Sequence, residues 1–281
     1  MIDDLNVLPP PVNRPPAPEE NMDFRQKQIG FVGGGRVARI LVGGWRHAGS
    51  LPTVILVNEP DDAAFLRLAA LCPDVRRSSL EETAAADIVF VAVHPPVFAS
   101  ALPALRPCLG GQAMVVSLAP KVSLSALTAG LATSRVARMI PNAPSIIGRG
   151  FNPVTFGDGV DTALRQGLSM LFAPWGACPE VQERDLEAYA ILTGMGPTYY
   201  WYQWQALREA AGQFGLSAAG TDEALRQMLN GAVATLLESG LSPAEVMDLI
   251  PVRPLQALEE SVTAEYRTAL PALFAKIRPT P

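Results

Sequence analysis

The chain has 281 residues, of which 49% are hydrophobic and 17% are charged, and its formal net charge is −5. This composition predicts a folded protein with room for two domains, and the acidic balance excludes a basic nucleic-acid-binding surface. The three cysteines have no CxxC spacing and the two histidines, His47 and His94, have no partner at ligand spacing, so we expect neither a disulfide framework nor a metal site.

The first 26 residues contain six prolines and little apolar periodicity, which predicts a flexible arm over residues 1–26. This stretch is acidic rather than basic and apolar, unlike a signal peptide. The longest fully apolar strand-like run, Ile88–Val93, is too short to cross a bilayer. We therefore expect a soluble, cytoplasmic protein that binds neither nucleic acid nor membrane.

From residue 27 onward, short β-branched runs alternate with segments of helical spacing. This rhythm predicts a parallel, doubly wound α/β sheet. The predicted strands are Ile29–Val32, Val54–Val57, Ile88–Val93, Ala113–Ser117, Val136–Ile140 and Phe151–Phe156. The predicted helices of this part are Val37–His47, Asp61–Leu71, Val97–Leu105 and Thr162–Phe172.

After about residue 182 the strand patterns stop and helical patterns take over. The predicted helices are Arg184–Leu192, Thr198–Phe214, Asp222–Ser239 with Thr221 as its N-cap, a short helix that starts at the capping box Ser242–Glu245, and Leu255–Ile277 with a break at Pro271. The change predicts a boundary between residues 175 and 185. We expect an α/β domain over residues 27–180 and an all-α domain over residues 181–281.

The stretch "QIGFVGGGRVARIL" places three glycines between a predicted strand and a predicted helix. Gly33, Gly35 and Ala38 match the G-x-G-x-x-G/A pattern of Rossmann-type dinucleotide-binding domains, in the βαβ context that the pattern requires. The first glycine permits a tight turn, the second lets the backbone approach a pyrophosphate, and the third small residue lets helix and strand pack closely. Dinucleotide binding is favoured, and a glycine turn that binds nothing is the alternative.

Blocks along nearly the whole chain from residue 28 resemble the pyrroline-5-carboxylate reductases. The blocks are "IGFVGGGRVA", "ADIVFVAVHPP", "VVSLAPKVSLSAL", "RMIPNAPSIIGRG", "LTGMGPTYYW" and "GAVATLLESGLSPAEVMD". Family members reduce a cyclic imine with hydride from NAD(P)H and pair through their C-terminal helices. The resemblance thus implies an NAD(P)H-dependent reductase with a small-molecule substrate that forms a homodimer or a higher homo-oligomer.

The resemblance also implies site residues. It places Gly33, Gly34, Gly35, Arg36 and Val37 around the pyrophosphate, and Asn58 and Glu59 at the adenosine ribose. It places Ala92, Val93, His94 and Pro95 along the nicotinamide, and Asn142, Thr198 and Arg253 toward the substrate, with Asn142 also touching the cofactor. No catalytic residue and no metal ligand is assigned. Three structural alternatives stay open: Asn58 as a helix cap, Asn142 as a turn former, and His94, which stands where the family has lysine, as a residue of the rim.

The chain departs from the family near its C-terminus. The family's Ser-Pro-Gly-Gly-Thr-Thr loop, which grips the imine carboxylate, corresponds here to "DLIPVRPLQALEE". Pro251 and Pro254 have no backbone N–H, so this loop has fewer donors for a substrate carboxylate. Arg253 is either a replacement clamp for the carboxylate or an exposed arginine between two prolines.

Two further functions stay open beside imine reduction. One is a deazaflavin-linked NADP oxidoreductase, which shares the first domain, and the other is a cofactor-binding protein without catalysis. For the cofactor, Asn58 and Glu59 follow the second strand, Asp61 and Asp62 come close behind, and no Lys or Arg stands between Val54 and Leu66. A 2′-phosphate is disfavoured beside these carboxylates unless Arg36 reaches it, so the sequence predicts NADH over NADPH.

Overall fold

A computed structural model describes residues 24–93 and 95–279 of the chain. In this part of the chain the strands are β1 Gln28–Val32, β2 Val54–Asn58, β3 Val75–Arg77, β4 Ile88–Val91, β5 Met114–Ser117, β6 Val136–Met139, β7 Gly150–Phe151, β8 Val154–Phe156 and β9 Gly176–Ala177. The helices of the first part are α1 Arg36–His47, α2 Asp62–Leu71, α3 Leu80–Ala84, α4 Pro95–Leu105, α5 Leu124–Leu131 and α6 Thr162–Phe172. The second part contains α7 Leu186–Tyr189, α8 Pro197–Gln213, α9 Ala218–Glu238, α10 Pro243–Asp248 and α11 Gln256–Ile277.

The main sheet has the strand order β3-β2-β1-β4-β5-β6-β8. The strands β1 to β6 run parallel, and β8 pairs with β6 in the antiparallel direction. The chain leaves β1 on one side to form β2 and β3 and returns on the other side to form β4, so the direction of winding reverses between β1 and β4. This reversal creates a crevice at the carboxyl ends of the two strands, and it confirms the predicted Rossmann-type fold.

Each face of the sheet carries its own apolar layer, which explains why the parallel strands are continuous apolar runs rather than alternating ones. An aromatic cluster on one face contains Phe31, Trp45, Phe90 and Trp175, all withdrawn from solvent. The Trp45 and Trp175 side chains also donate hydrogen bonds of 2.8 Å to backbone carbonyls. The packed sheet is therefore a rigid platform for the loops at its carboxyl edge.

The amino end of the described chain corrects one expectation. Phe24–Gln26 forms a 3-10 turn, and Phe24 is buried against α6. A Cβ on Gly167 would lie 1.7 Å from the Phe24 ring, so the ring fills the space that this glycine leaves. The predicted flexible arm over residues 1–26 was wrong for its last three residues, and residues 1–23 lie outside the described part of the chain.

Several predicted element boundaries were also wrong. Strand β4 ends at Val91 rather than Val93, the strand predicted over Phe151–Phe156 is two short strands, and β3, α3 and α5 were not predicted because they are short. Helix α9 begins at Ala218, about one turn before the predicted start at Asp222. The reason is that the N-cap is Ser217 and not Thr221: the Ser217 hydroxyl accepts the capping hydrogen bond from Gly220 N–H. Helix α11 continues through Pro271 without a break.

The second part packs little apolar surface internally. A small cluster joins α7 to the last turns of α11 through Leu186, Ile191 and Ile277. Long apolar side chains on α8 to α11 and in the loops between them remain exposed, including Phe214 at 79%, just after α8, and Leu237 at 74%, on α9. None of the described helices combines the length and the apolar character needed to cross a membrane.

Candidate functional site

The first glycine of the turn after β1 holds a conformation that a side chain would strain. Gly33 has a φ of +100°, which an L-residue with a side chain rarely adopts. Its N–H donates a 2.8 Å hydrogen bond to the carbonyl of Asn58, and a Cβ at Gly33 would lie 2.8 Å from the carbonyl oxygen of Ala92. Gly33 therefore lets β1, β2 and β4 end side by side, as the sequence pattern predicted.

The start of α1 is open toward the crevice. Gly35 is the N-cap of α1, and no side chain caps this end of the helix. A Cβ at Gly35 would meet no atom within 4 Å, so the space in front of the helix end is free. The first N–H groups of a helix lack intrahelical acceptors and attract anions, and those of Arg36 and Val37 lie at this end. These residues fit a pyrophosphate, and Arg36 is exposed beside it.

Glu59 closes the opposite side of the glycine turn. Its Oε2 accepts a hydrogen bond of 2.8 Å from the N–H of Gly34, and its Oε1 accepts one of 2.9 Å from the N–H of Asp61. A Cβ at Gly34 would lie 3.0 Å from the Glu59 Cβ, so the second glycine is needed for this contact. The carboxylate is thus held by two backbone donors at the end of β2, where the ribose of a dinucleotide lies in this fold.

Asn58 has a different role from the cap considered above. Its side-chain amide donates a 3.3 Å hydrogen bond to the carbonyl of Ser78, whereas the cap of α2 is Asp61, whose side chain accepts from Ala63 N–H. Asn58 therefore does not cap α2, and the alternative that gave it this role was wrong. Asn58 stabilises the β2 edge next to Glu59.

The loop after β4, which the family resemblance assigns to the nicotinamide, begins with small and apolar residues. Ala92 and Val93 follow β4 and are half-buried, and the Ala92 N–H donates to the Val32 carbonyl at 2.8 Å. Pro95 begins α4. His94 lies outside the described residues. Lys121, in the loop after β5, has a φ of +75°. Such strained backbone conformations are frequent in active sites and ligand-binding loops.

Asn142 is held by the protein itself. Its Oδ1 accepts from Phe151 N–H at 3.1 Å, and its Nδ2 donates to the carbonyl of Thr193 at 3.3 Å. Asn142 is 8% exposed, and its own N–H donates to Asn152 Oδ1 at 3.0 Å. These contacts favour the turn-forming alternative, in which Asn142 fixes the end of β6 to the start of the helical part.

The segment that Asn142 contacts is a π-helical turn, Ala190–Gly194. Such turns leave carbonyl groups to be satisfied by other donors, and they are frequent at functional sites. Tyr199 donates from its hydroxyl to the Ile191 carbonyl at 2.7 Å. Burial, with a smaller effect of neighbouring Tyr200, raises the pKa of Tyr199 and keeps the phenol a donor.

The two other predicted substrate residues have partners within the chain. Thr198 is exposed at the start of α8, and its hydroxyl donates to the Met195 carbonyl at 2.7 Å. Arg253 forms a two-point ion pair with Glu259, with its Nε 3.2 Å from Oε1. The structure does not bring Thr198 or Arg253 to the glycine turn, whereas it does bring together Gly33, Glu59 and Ala92.

Sequence reasoning missed two arginines, Arg77 and Arg138. Arg77 lies at the end of β3 and contacts the turn between β2 and α2. Arg138 is fully buried in β6 and pairs with Glu183 and Glu187. Arg138 could have been noticed in the sequence as a charged residue inside an otherwise apolar strand. Arg77 could not, because β3 itself was not predicted.

Two family models match the chain. Residues 28–121 match the model described as NADP oxidoreductase, coenzyme F420-dependent, and residues 183–253 match pyrroline-5-carboxylate reductase dimerisation. Pyrroline-5-carboxylate reductase 3 of Bos taurus is 30% identical over 222 residues, which are 78% of this chain and 72% of the bovine protein. The chain belongs to the pyrroline-5-carboxylate reductase family.

Solved structures agree with this assignment. The pyrroline carboxylate reductase of Plasmodium falciparum with NADP bound superposes with a TM-score of 0.75 at 22% identity, over 90% of this chain and 98% of that one. The pyrroline-5-carboxylate reductase of Coxiella burnetii gives a TM-score of 0.62 at 26% identity, over 90% and 94%. The predicted resemblance, the fold and the class of NAD(P)-dependent reductases are confirmed. The dimerisation match ends at Arg253, inside the proline-containing loop that departs from the family.

Proposed function

We propose that this protein transfers hydride from NAD(P)H to the C=N bond of a cyclic imine. The observation that carries the proposal is the open amino end of α1 at the switch point of the sheet, where Gly35 leaves free space for a pyrophosphate. The helical part supports it because its match is to pyrroline-5-carboxylate reductase dimerisation rather than to a deazaflavin-linked partner domain. When bound, the dinucleotide supplies the hydride.

The side chains have little covalent chemistry to perform in such a reaction, because a protonated imine accepts hydride directly. The protein must hold the two reactants in contact and exclude water. Ala92 and Val93 provide a small, apolar wall beside the nicotinamide position. The π-helical turn, fixed by Asn142 and Tyr199, sets the position of the first turn of α8 relative to that wall.

The loop after α10 holds a substrate carboxylate less tightly than binding of pyrroline-5-carboxylate requires. Pro251 and Pro254 remove two backbone donors from the loop that follows α10. Arg253 does not replace them, because Glu259 already neutralises its guanidinium. We therefore propose an imine in which the carboxylate is absent or contributes little to binding.

The cofactor is proposed to be NADH rather than NADPH. The Glu59 carboxylate accepts hydrogen bonds from two N–H groups, and both bonds are lost if it swings away. A second negative charge ~4 Å away costs about 1 kcal/mol in water and about 4 kcal/mol at an intermediate dielectric. A ribose hydroxyl, in contrast, is a donor that the carboxylate accepts.

A homo-oligomer is supported by the dimerisation match, and we propose that the C-terminal helices form its interface. Their exposed apolar side chains exceed what a solitary helical part tolerates in water. The exposed residues of these helices and of the loops that join them include Phe214, Leu216, Met228, Val233, Leu236, Leu237, Leu241, Met247 and Ile250. A cytoplasmic location also stays a proposal, supported by three free cysteines.

Turnover of NADH and NADPH with a panel of cyclic imines, including pyrroline-5-carboxylate and its analogue without the carboxylate, tests this function. We expect turnover of the uncharged imine and weak activity on pyrroline-5-carboxylate. Efficient rescue of a proline-requiring bacterial strain would contradict the substrate proposal. Cofactor binding without turnover on any imine would favour a cofactor-binding protein without catalysis. Oxidation of a reduced deazaflavin by NADP would favour a deazaflavin-linked NADP oxidoreductase.

A further inference from the structure

The turn that carries Glu59 is held by an arginine from the neighbouring strand. Arg77 lies opposite Val57 in the parallel pair of β2 and β3. Its Nη2 donates to the carbonyls of Glu59 at 2.8 Å and of Pro60 at 3.2 Å. Its guanidinium also lies 5.3 Å from the ring centroid of Phe65 in the first turns of α2.

The charge of this arginine is taken up by Asp62. Nη1 of Arg77 lies 2.5 Å from Oδ1 of Asp62, the first residue of α2. Asp61 is used differently, because it caps α2 and lies 3.9 Å from Arg67. The side chain of Arg77 is 41% exposed and that of Asp62 is 79% exposed, so the pair lies at the open surface of the adenosine end.

These contacts place a cation directly behind the carboxylate that faces the glycine turn. Glu59 presents its carboxylate to Gly34 and its carbonyl to Arg77. The guanidinium therefore lies behind the end of β2, the part of this fold at which the ribose of a dinucleotide binds. An arginine has the fork geometry that binds phosphate strongly, provided that no other anion occupies it.

We propose that Asp62 determines the choice of cofactor by holding Arg77 against the turn. With Asp62 present, Arg77 is neutralised and stays on the carbonyls of Glu59 and Pro60, and the negative Glu59 alone faces the ribose. Without the charge of Asp62, Arg77 becomes available to a 2′-phosphate. This inference rests on the proposed binding of a nicotinamide dinucleotide.

The test is calorimetric titration of NADH, NADPH and the probe 2′,5′-ADP into the wild type and into Asp62→Asn. Asparagine keeps the size of the side chain and removes the charge at an exposed position. We expect the affinity for NADPH and for 2′,5′-ADP to rise about two- to fivefold, the range of one exposed charge interaction, with NADH affinity unchanged. The double variant Asp62→Asn/Arg77→Gln should lose the gain.

The chain contains a matched control. Arg165 also donates to a backbone carbonyl, that of Val160, lies over an aromatic ring, Phe156, and pairs with a carboxylate, Glu180, at 2.5 Å. Glu180→Gln therefore removes an equivalent charge far from the glycine turn, and it should leave all three affinities unchanged.

The outcomes separate this inference from the proposed function. If the wild type binds NADH and Asp62→Asn binds NADPH no better than the wild type does, the role of Asp62 is overturned. A gain that persists in the double variant also overturns it, because the cation would then not be Arg77. If the wild type binds neither dinucleotide, the proposed function itself fails. Circular dichroism melting of each variant verifies that the compared proteins are folded.

Discussion

Arg138 and Glu187 form an ion pair that is withdrawn from solvent on both sides, with side-chain exposures of 0% and 2%. Arg138 is part of β6, and Glu187 is part of α7, so the pair joins the sheet to the helical part. Glu183 adds a second carboxylate 2.9 Å from Arg138 Nη1, and it also accepts from Leu124 N–H at 2.6 Å. One guanidinium thus fixes the relative position of β6, α5 and α7 beside the candidate site.

Replacing Arg138 by alanine is expected to destabilise the fold strongly. Removing one partner of a buried pair leaves an uncompensated charge and costs about 3–5 kcal/mol. The double replacement Arg138→Met/Glu187→Leu should recover much of this loss, because no isolated charge remains. Urea denaturation measures both changes. Arg165→Ala is the control, since its pair with Glu180 is exposed and such pairs contribute at most about 1 kcal/mol. Equal losses for the two arginines would contradict the buried role of Arg138.

Gly35→Val is expected to abolish dinucleotide binding while lowering stability little. The added Cβ meets no protein atom within 4 Å, so the side chain extends into the open space that a ligand at the end of α1 would occupy. Gly33→Val is the contrasting variant, because its φ of +100° and the nearby Ala92 carbonyl make any side chain strained in the free protein. Thermal melting and calorimetry together distinguish the two. Unchanged cofactor affinity in Gly35→Val would refute the pyrophosphate assignment.

Glu59→Arg is expected to shift the preference from NADH toward NADPH. The change removes the acceptor for the ribose hydroxyls and adds a cation for the 2′-phosphate. Binding titrations with both cofactors measure the shift, and Asp158→Arg, in the exposed turn after β8, is a control for the added charge alone. A clear NADPH preference in the unmodified protein would contradict the proposal and point to Arg36, which makes no ion pair among the described residues.

Leu237→Glu is expected to weaken the proposed assembly of two or more copies. Leu237 is 74% exposed on α9, and a buried carboxylate at an apolar interface is strongly unfavourable. Sedimentation velocity measures the change in mass. Leu66→Glu is the matched control, because Leu66 is 65% exposed on α2 of the first part. The interface assignment is wrong if Leu237→Glu keeps the mass of the wild type or if Leu66→Glu lowers it equally.

Periodicity and local signals were sufficient for the longer elements of the α/β part. The apolar runs at β1, β4 and β5 and the glycine turn after β1 depend on contacts within a few residues or on burial, and both are visible in the residue pattern. Helical spacing also predicted the all-α part, and the family blocks added the reductase class. Short elements such as β3 were missed, because three residues carry too little periodicity to predict a strand.

The sequence alone therefore determined the doubly wound sheet, the dinucleotide turn at Gly33 and the family. Tertiary structure decided what the polar groups do: that Glu59 is held by Gly34, that Arg77 pairs with Asp62, and that Arg138 binds Glu187. The physical reason is that a hydrogen bond or ion pair depends on two groups meeting within about 3 Å. Gly34, Glu59 and Arg77 are separated along the chain and meet because parallel strands place their carboxyl ends at one edge of the sheet, whereas Arg138 and Glu187 meet because α7 packs beside β6.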